Sequence, residues 1–415
     1  MRWADRHGRS WRASNDHKAQ KGYGPRMRWG KRLGSLAKIG LLSLALVAIG
    51  GCWSREELND RTFIAALLVD RTEEGETEVS AVFILPNRLT SGMSGPSSTQ
   101  KPYTLISRKG RDVAEAIQHM QDDLPRSVTW GQMRIIIIGD RYARSDMKPL
   151  FDHLIRAPEF RLRVYMFYYN GIAKNLLQME SIFERFPSEI WREAAHIKRL
   201  PPVTLRDLFY SQWNNFSDGY IPELSLHQVK QPTEKKPVHL TGIRGAALIK
   251  NAKVIGRFNQ RETQGILLIR ERIRDLVLTV NLPDGNGLFS ARLFDVHPRT
   301  NSYRQGDRVI VNVEIEANAD LMSIQPRIDL HDPANIRLLE QALNRELQDL
   351  AESAFERARR SKADVFQWSE YVEYKYPSLW KAWSDRLRDN LAMNLEARFV
   401  PRVQLRSTGI SRSSN

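Results

Sequence analysis

The chain contains one cysteine, and the residues before it make its thiol the clearest candidate for chemistry. Cys52 directly follows an uncharged run, 39–51, that ends in two glycines. A helix that crosses a membrane needs about 20 apolar residues, so this run is too short to span one. Arg28, Lys31 and Lys38 lie before this run. A basic start, a short apolar region and small residues before a cleavage point are typical of a secretory signal.

The four residues Ile49-Gly50-Gly51-Cys52 resemble a bacterial lipobox, in which the thiol receives a diacylglycerol and the signal is cut just before the cysteine. We therefore predict lipidation at Cys52, with a diacylglycerol and an N-acyl lipid as the only attached groups and with no cofactor. Two or three acyl chains anchor firmly where one anchors only marginally. An ordinary signal peptide, or a buried cysteine behind a weak anchor, is the alternative.

The leader accounts for much of the positive charge. Residues 1–51 hold eleven Lys or Arg and two Asp, a net of +9, so the whole-chain +15 leaves +6 for residues 52–415. That balance suits an anionic membrane surface. Residues 52–415 lack the clustered basic face with interleaved aromatic residues that would predict nucleic-acid binding. Met27 is the expected start of translation, and an extended basic region from Met1 is the alternative.

The sequence does not predict an enzyme. The nine histidines form no pair on one helix face with a glutamate between them, as a zinc protease would need. Ser94 has glycine at only one of the two flanking positions of a nucleophile elbow, since Pro96 stands at the other, and no phosphate-binding glycine loop occurs. With one cysteine, disulfides and zinc knuckles are also excluded.

Alternating strand and helix patterns predict a mixed α/β body, an α+β fold whose domains each pack a mixed sheet with helices. Strands are expected at 62–69 and 133–139, and 77–85 has the period of a half-buried strand. Residues 86–102 are expected to form an exposed loop. The predicted divisions are a leader at 1–51, an N-terminal sheet and helix domain at 52–200, a middle domain at 201–287 and a C-terminal domain at 288–415.

A long helix is predicted to begin at Asp332-Pro333, where the aspartate caps the helix and the proline occupies its first position. Its apolar residues recur every three or four positions from Ile336 to Ala358. This stripe could bind a partner, but packing on the protein's own sheet is the favoured interpretation.

Five stretches, in order, resemble the Ger(x)C family, the lipoprotein C subunits of spore germinant receptors: residues 51–70, 107–144, 150–161, 241–269, and 366–385 with 407–410. The resemblance implies a three-domain mixed α/β body, held by its lipid on the outer face of the spore inner membrane. It also implies a polytopic A subunit and a permease-like B subunit as partners, with ligand binding credited to the B subunit.

The family's recurrent positions are expected to serve structure or partner contact. Gln132 stands where the family tends to have histidine, and Arg257 where it favours tryptophan, so contacts made there by relatives are in doubt. Trp380 and Trp383 are predicted to be core residues. The recurrent positions are Cys52, Trp53, Ser107, Gly110, Trp130, Gly131, Arg156, Gly242, Gly256, Glu262, Gly265, Tyr376, Pro377, Trp380 and Gly409.

Two other classes remain possible from the sequence. A solute-binding lipoprotein of an uptake transporter would share the anchor and the α/β body, but the polar cluster of a ligand cleft is missing. A lipid-anchored hydrolase would need a catalytic constellation that the sequence does not show.

Replacement of Cys52 tests the lipobox. In the variant Cys52→Ala we expect no lipid on the chain, because alanine has no thiol to form the thioether. Mass measurement of the protein from membranes would show the missing diacylglycerol, and nutrient germination should fall. Full germination with this variant as the sole copy would contradict a need for the anchor.

Overall fold

A computed structural model of the chain describes residues 60–88, 101–179, 184–196, 202–213, 218–230, 237–271, 273–282, 285, 287–325 and 328–407. Cys52, Trp53 and Gly409 lie outside these ranges, as do the predicted leader and most of the loop expected at 86–102. The mixed α+β fold class is confirmed by two sheets and their helices.

The larger sheet contains nine strands within the described residues, in the order β3-β2-β1-β5-β6-β7-β8-β9, with β4 also paired to β1. Strands β1, β4, β5, β6 and β7 run parallel, and β2, β3, β8 and β9 join through antiparallel pairs. The strands are β1 Arg61–Arg71, β2 Thr77–Ile84, β3 Tyr103–Gly110, β4 Ser127–Thr129, β5 Ile135–Gly139, β6 Tyr165–Tyr169, β7 Gly219–Val229, β8 Val238–Lys250 and β9 Lys253–Phe258.

Helices cover both faces of this sheet. The continuous isoleucine run of β5 is fully buried, as its lack of polar residues predicts. Strand β2 is also buried on both faces, so the half-buried strand predicted for 77–85 is wrong. Packing above and below β2 overrode the pattern of its sequence. The helices are α1 Val113–Asp122, α2 Asp140–Arg144, α3 Lys148–Arg156, α4 Pro187–His196 and α5 Leu205–Trp213.

The second sheet has the order β10-β11-β12-β13 and belongs to the C-terminal part of the chain. Strand β12 alternates buried and half-buried residues, as the sequence period predicts. Its elements are β10 Leu276–Asn281, β11 Leu288–Gln305, β12 Arg308–Gln325 and β13 Leu395–Ser407, with helices α6 Gln260–Arg270, α7 Pro333–Arg360, α8 Ser369–Lys375, α9 Pro377–Trp383 and α10 Leu387–Asn394.

The predicted long helix is α7, and its apolar stripe is buried against the protein itself. Asp332 accepts a hydrogen bond from the Ala334 N–H and caps the helix. Two polar side chains of α7 also cover the free edge of β13: Asn344 accepts from the Val403 N–H at 2.8 Å and Glu340 from the Leu405 N–H at 2.9 Å. The interpretation that α7 packs on its own sheet is therefore correct, and the stripe is not free for a partner.

A buried carboxylate joins the two parts of the chain. The Asp218 side chain is 0% exposed and accepts two hydrogen bonds from the Arg388 guanidinium, at 2.7 and 2.9 Å. It also accepts from the backbone N–H groups of Asn251 and Asp364. Four segments that are distant in sequence therefore meet at one side chain. The domain ranges predicted from sequence stay a prediction.

The crossing of α6 and α7 depends on Gly265. A Cβ at this position would overlap the Leu350 carbonyl oxygen and lie 2.8 Å from the Ala354 Cβ. A Cβ at Gly242, in β8, would have no other atom within 4 Å. These two glycines, both recurrent family positions, therefore form a natural test and control.

We expect Gly265→Ala to lower the free energy of unfolding by about 2–3 kcal/mol, since overpacking against backbone forces the two helices apart. Alanine favours a helix over glycine by about 1 kcal/mol, so any loss of stability in the variant reflects packing alone. Urea unfolding followed by circular dichroism measures the change, with Gly242→Ala as control. Equal stability of the two variants would contradict this account of the crossing.

Candidate interaction surface at one edge of the large sheet

The parallel strands of the large sheet begin at one edge, which we call the amino edge. Arg61 at the start of β1 pairs in register with Ser127 at the start of β4, and Ile135 of β5 pairs with Tyr165 of β6. The end of β2 and the start of β3 meet at the same level, where Ile84 pairs with both Phe63 and Tyr103. Loops from widely separated parts of the sequence thus share this edge.

Three recurrent family positions lie at the amino edge. Trp130, between β4 and β5, is 7% exposed, and its ring centroid lies 4.8 Å from that of Phe160. Gly131 follows, and a Cβ there would lie 3.9 Å from the Arg161 guanidinium. Arg156 ends α3 and donates to Asp152 at 2.8 Å. Trp130 is therefore a core residue that fixes the loop before β6, while Arg156 is exposed.

Cations gather at this edge and project into solvent. All are exposed except Arg61, which is half-buried. Leu162 is 41% exposed and stands between two of them. The carboxylates at the edge, Asp60, Asp122, Asp123, Asp152 and Glu159, are fewer than the cations, and Asp152 pairs with Arg156. Besides Arg156, the six cations of the amino edge are Arg61, Arg88, Lys101, Arg126, Arg161 and Arg163.

Three of these cations are poorly compensated by carboxylates of the described residues. Across the described ranges, no carboxylate lies within 4.0 Å of the guanidinium groups of Arg126, Arg161 or Arg163. The Lys101 ammonium lies over the Tyr103 ring, 5.6 Å from its centroid. The edge therefore presents a net positive field to solvent.

The opposite edge, where the parallel strands end, differs in its charge pairing. Arg141 contacts Glu73 at 2.6 Å, Arg144 contacts Asp140 at 2.9 Å, and Lys174 contacts Glu78 at 2.9 Å. Each of these cations is matched by a carboxylate of its own surroundings. The charge at this edge is consequently neutralised within the protein.

A buried acid lies at this second edge. Asp70, near the end of β1, is 4% exposed and accepts hydrogen bonds from the Ala173 N–H at 3.0 and 3.2 Å. Gly139 leaves the space that the carboxylate fills, since a Cβ there would overlap it. The pKa of Asp70 is raised to about 6, chiefly because the carboxylate is buried. The hydrogen bond from the Ala173 N–H lowers this pKa, and the nearby Glu78 charge raises it. Its role in the described structure is to hold the segment that follows β6.

The remaining recurrent positions in the N-terminal half serve the sheet. Ser107 of β3 lies 2.7 Å, oxygen to oxygen, from its cross-strand partner Ser80. Gly110 ends β3, and a Cβ there would lie 2.5 Å from the Ala116 nitrogen of α1. Gly242 accepts a hydrogen bond from the Ser225 hydroxyl through its carbonyl. These three positions are structural.

Those in the C-terminal half hold helices in place. Gly256 makes room for Arg357 of α7, at 2.8 Å from the position of a Cβ. Glu262 forms a reciprocal capping box with Asn259 at the start of α6. The Tyr376 hydroxyl donates to the Ser302 carbonyl at 3.0 Å, and Pro377 opens α9. Each of these positions therefore has a contact within the chain itself.

The structure also places the two tryptophans of α9. It places Gln132 and Arg257 too, where the chain departs from the family pattern. Trp383 is 4% exposed, and Trp380 is half-buried against the same core. Gln132 is exposed beside Trp130. Arg257 donates to Glu223 at 3.0 Å, a salt bridge that the family's tryptophan would not make.

Sequence reasoning missed the cluster around Asp218. Asp364, which is half-buried, accepts from the N–H groups of Trp368 and Ser369, both at 2.9 Å. Burial raises the pKa of both aspartates, and Arg388 lowers that of Asp218. No local pattern marks Asp218, because its partners lie more than 30 residues away in sequence.

Neither a metal site nor a membrane span is found in the part of the chain that the structure describes. No three His, Cys, Asp or Glu side chains there form a group that could hold a metal ion. No helix there is both long and apolar enough to cross a membrane.

Two family sequence models match most of the chain. The Spore germination protein N-terminal domain matches residues 54–226, and the C-terminal domain described as Spore germination B3/GerAC like matches residues 244–409. The chain belongs to the Ger(x)C family of spore germination proteins.

Individual relatives agree with this assignment. The chain is 26% identical over 373 residues to the putative spore germination protein YfkR of Bacillus subtilis strain 168, covering 88% of this chain and 95% of the relative. It is 19% identical to the spore germination protein KC of the same strain, covering 89% and 96%. The crystal structure of the GerBC protein matches the fold with a TM-score of 0.52 and 14% identity, over 82% of this chain and 96% of that one.

The buried Asp70 predicts a pH effect on stability. Its folded-state pKa of about 6 exceeds the unfolded value of about 3.9, so the folded protein binds the proton more tightly between these values. As pH rises through this window, the group should cost about 3 kcal/mol of folding free energy.

In the variant Asp70→Asn this part of the pH dependence should vanish, because the amide does not ionise but can still accept from Ala173. Urea unfolding at pH 4.5, 6 and 7.5 measures it, and Asp385→Asn, at an exposed carboxylate, serves as control. A variant that keeps the wild-type loss of stability between pH 4.5 and 6 would show that Asp70 is not the group responsible.

Proposed function

We propose that this protein is the lipoprotein C subunit of a nutrient germinant receptor, needed for the assembly or signalling of the receptor that starts spore germination. The observation that carries the proposal is the match of both family models, N-terminal and C-terminal, in order along the chain. Relatives named spore germination protein KC, GerQC and B3 support it.

The proposed anchor is the lipid on Cys52, on the outer face of the spore inner membrane. The lipobox at 49–52 supports it, since the short apolar run before the cysteine is suited to a cleaved signal rather than to a span. The described body begins soon afterwards at Asp60. A folded domain tied closely to a membrane is the expected form of such a subunit.

The proposed partners are a polytopic A subunit and a permease-like B subunit. The protein would act through contacts with them and not as an enzyme. The buried polar groups of the described body support this view: Asp218, Asp364 and Asp70 are each occupied by backbone or arginine donors. The donors that occupy these three carboxylates favour a structural role for them over a catalytic one.

Affinity purification tests the proposed assembly. The tagged chain is recovered from gently solubilised spore inner membranes, and the co-purifying proteins are identified by mass spectrometry. We expect the A and B subunits with the wild-type chain. The tagged Cys52→Ala variant, which lacks the anchor, is the matched control and should recover them in much smaller amounts.

Two results would contradict the proposal. Recovery of transporter permease and ATPase subunits would favour a solute-binding lipoprotein. Recovery of the chain alone, with a bound small molecule, would do the same.

A further inference from the structure

We propose that the amino edge of the large sheet is a docking surface for anionic lipid headgroups, which the protein contacts in addition to its anchor. The inference rests on the proposed lipidation of Cys52. It adds an orientation: the ends where β1, β4, β5 and β6 begin face the membrane, and the ends where they finish face away from it.

The first argument is the reach of the chain. Eight residues separate Cys52 from Asp60, where the described body begins. A fully extended chain of this length spans no more than about 28 Å. Arg61 starts β1 immediately afterwards, at the amino edge itself. A lipid on Cys52 therefore keeps this edge within about 28 Å of the membrane. It holds the other parts of the sheet less strictly.

The second argument is charge complementarity. Arg126, Arg161 and Arg163 are exposed, and no carboxylate of the described ranges lies within 4.0 Å of their guanidinium groups. The cations at the opposite edge are paired instead. Guanidinium groups bind phosphate oxygens through two parallel hydrogen bonds, and each cation near an anionic bilayer contributes about 1 kcal/mol.

The third argument is the order of charged and apolar side chains in the loop before β6. Leu162 is 41% exposed between Arg161 and Arg163, so an apolar side chain is flanked by two phosphate-binding groups at one loop. This order suits the boundary between headgroups and acyl chains. A protein partner would more typically bury aromatic anchors at the centre of its contact. Among the aromatic residues at this edge, Trp130 is already buried against Phe160, and Tyr103 is buried as well.

The test uses the lipidated, full mature protein in vesicles of phosphatidylcholine, alone or with phosphatidylglycerol. A neutral amine-reactive reagent labels Lys101, at the amino edge, and Lys381, exposed on α9, which serves as an internal reference. We expect the ratio of labelling at Lys101 to that at Lys381 to fall at least about fivefold when phosphatidylglycerol is present, the effect of one cation's contact. High salt should restore it.

Neutralising three cations tests which residues make the contact. The triple variant Arg126→Gln, Arg161→Gln and Arg163→Gln should weaken the contact equilibrium on the order of 100-fold and restore labelling of Lys101. The control variant Arg337→Gln, Arg345→Gln and Arg398→Gln removes the same charge from exposed positions elsewhere, and should behave as wild type.

Flotation of the vesicles separates failure of this inference from failure of the proposed function. Protein that floats with both vesicle types but shows no phosphatidylglycerol-dependent protection of Lys101 would overturn the docking surface and leave the anchor intact. Protein that floats with neither would overturn the anchor, and the docking surface with it. Protection that requires the A and B subunits instead of anionic lipid would also overturn the inference, because the edge would then be a protein interface.

Discussion

The buried side chain of Asp218 is the constraint on which the rest of this structure depends. A buried charge without a partner is costly, so the carboxylate requires Arg388 and the N–H groups of Asn251 and Asp364 to be in place together. These donors come from the turn between β8 and β9, the segment after α7, and α10. The large sheet and the C-terminal helices are thereby held in one register.

With that register set, both faces of the large sheet are covered and only its edges and loops meet the surroundings. Parallel strands place all their starts at one edge and all their ends at the other. The two edges then acquire different characters, because salt bridges pair three cations at the one that holds Asp70, while Arg126, Arg161 and Arg163 at the other have no carboxylate of the described ranges within 4.0 Å. The proposed orientation toward a membrane rests on this asymmetry.

Several of the recurrent family positions contribute contacts that maintain this arrangement. Gly265 allows α6 and α7 to cross closely, Glu262 caps α6, and Tyr376 ties the segment before α9 to β11. Trp130 and Arg156 differ in lying at the amino edge, where one is packed inward and the other is exposed. A family can therefore preserve the shape of a surface through residues that are themselves buried.

The sequence by itself determined the mixed α+β class and elements with a clear period, such as β12 and α7 with its cap at Asp332, and it predicts the lipobox at Cys52. These depend on neighbours within a few residues, which a local pattern records. It predicted no helix after β9, although Asn259 and Glu262 carry the capping signal of α6. The tertiary structure alone decided that Arg61, Lys101, Arg126 and Arg161 share one edge, and that Asp218 meets Arg388. Strand order brings such residues together across long stretches of chain, and no local pattern encodes that order.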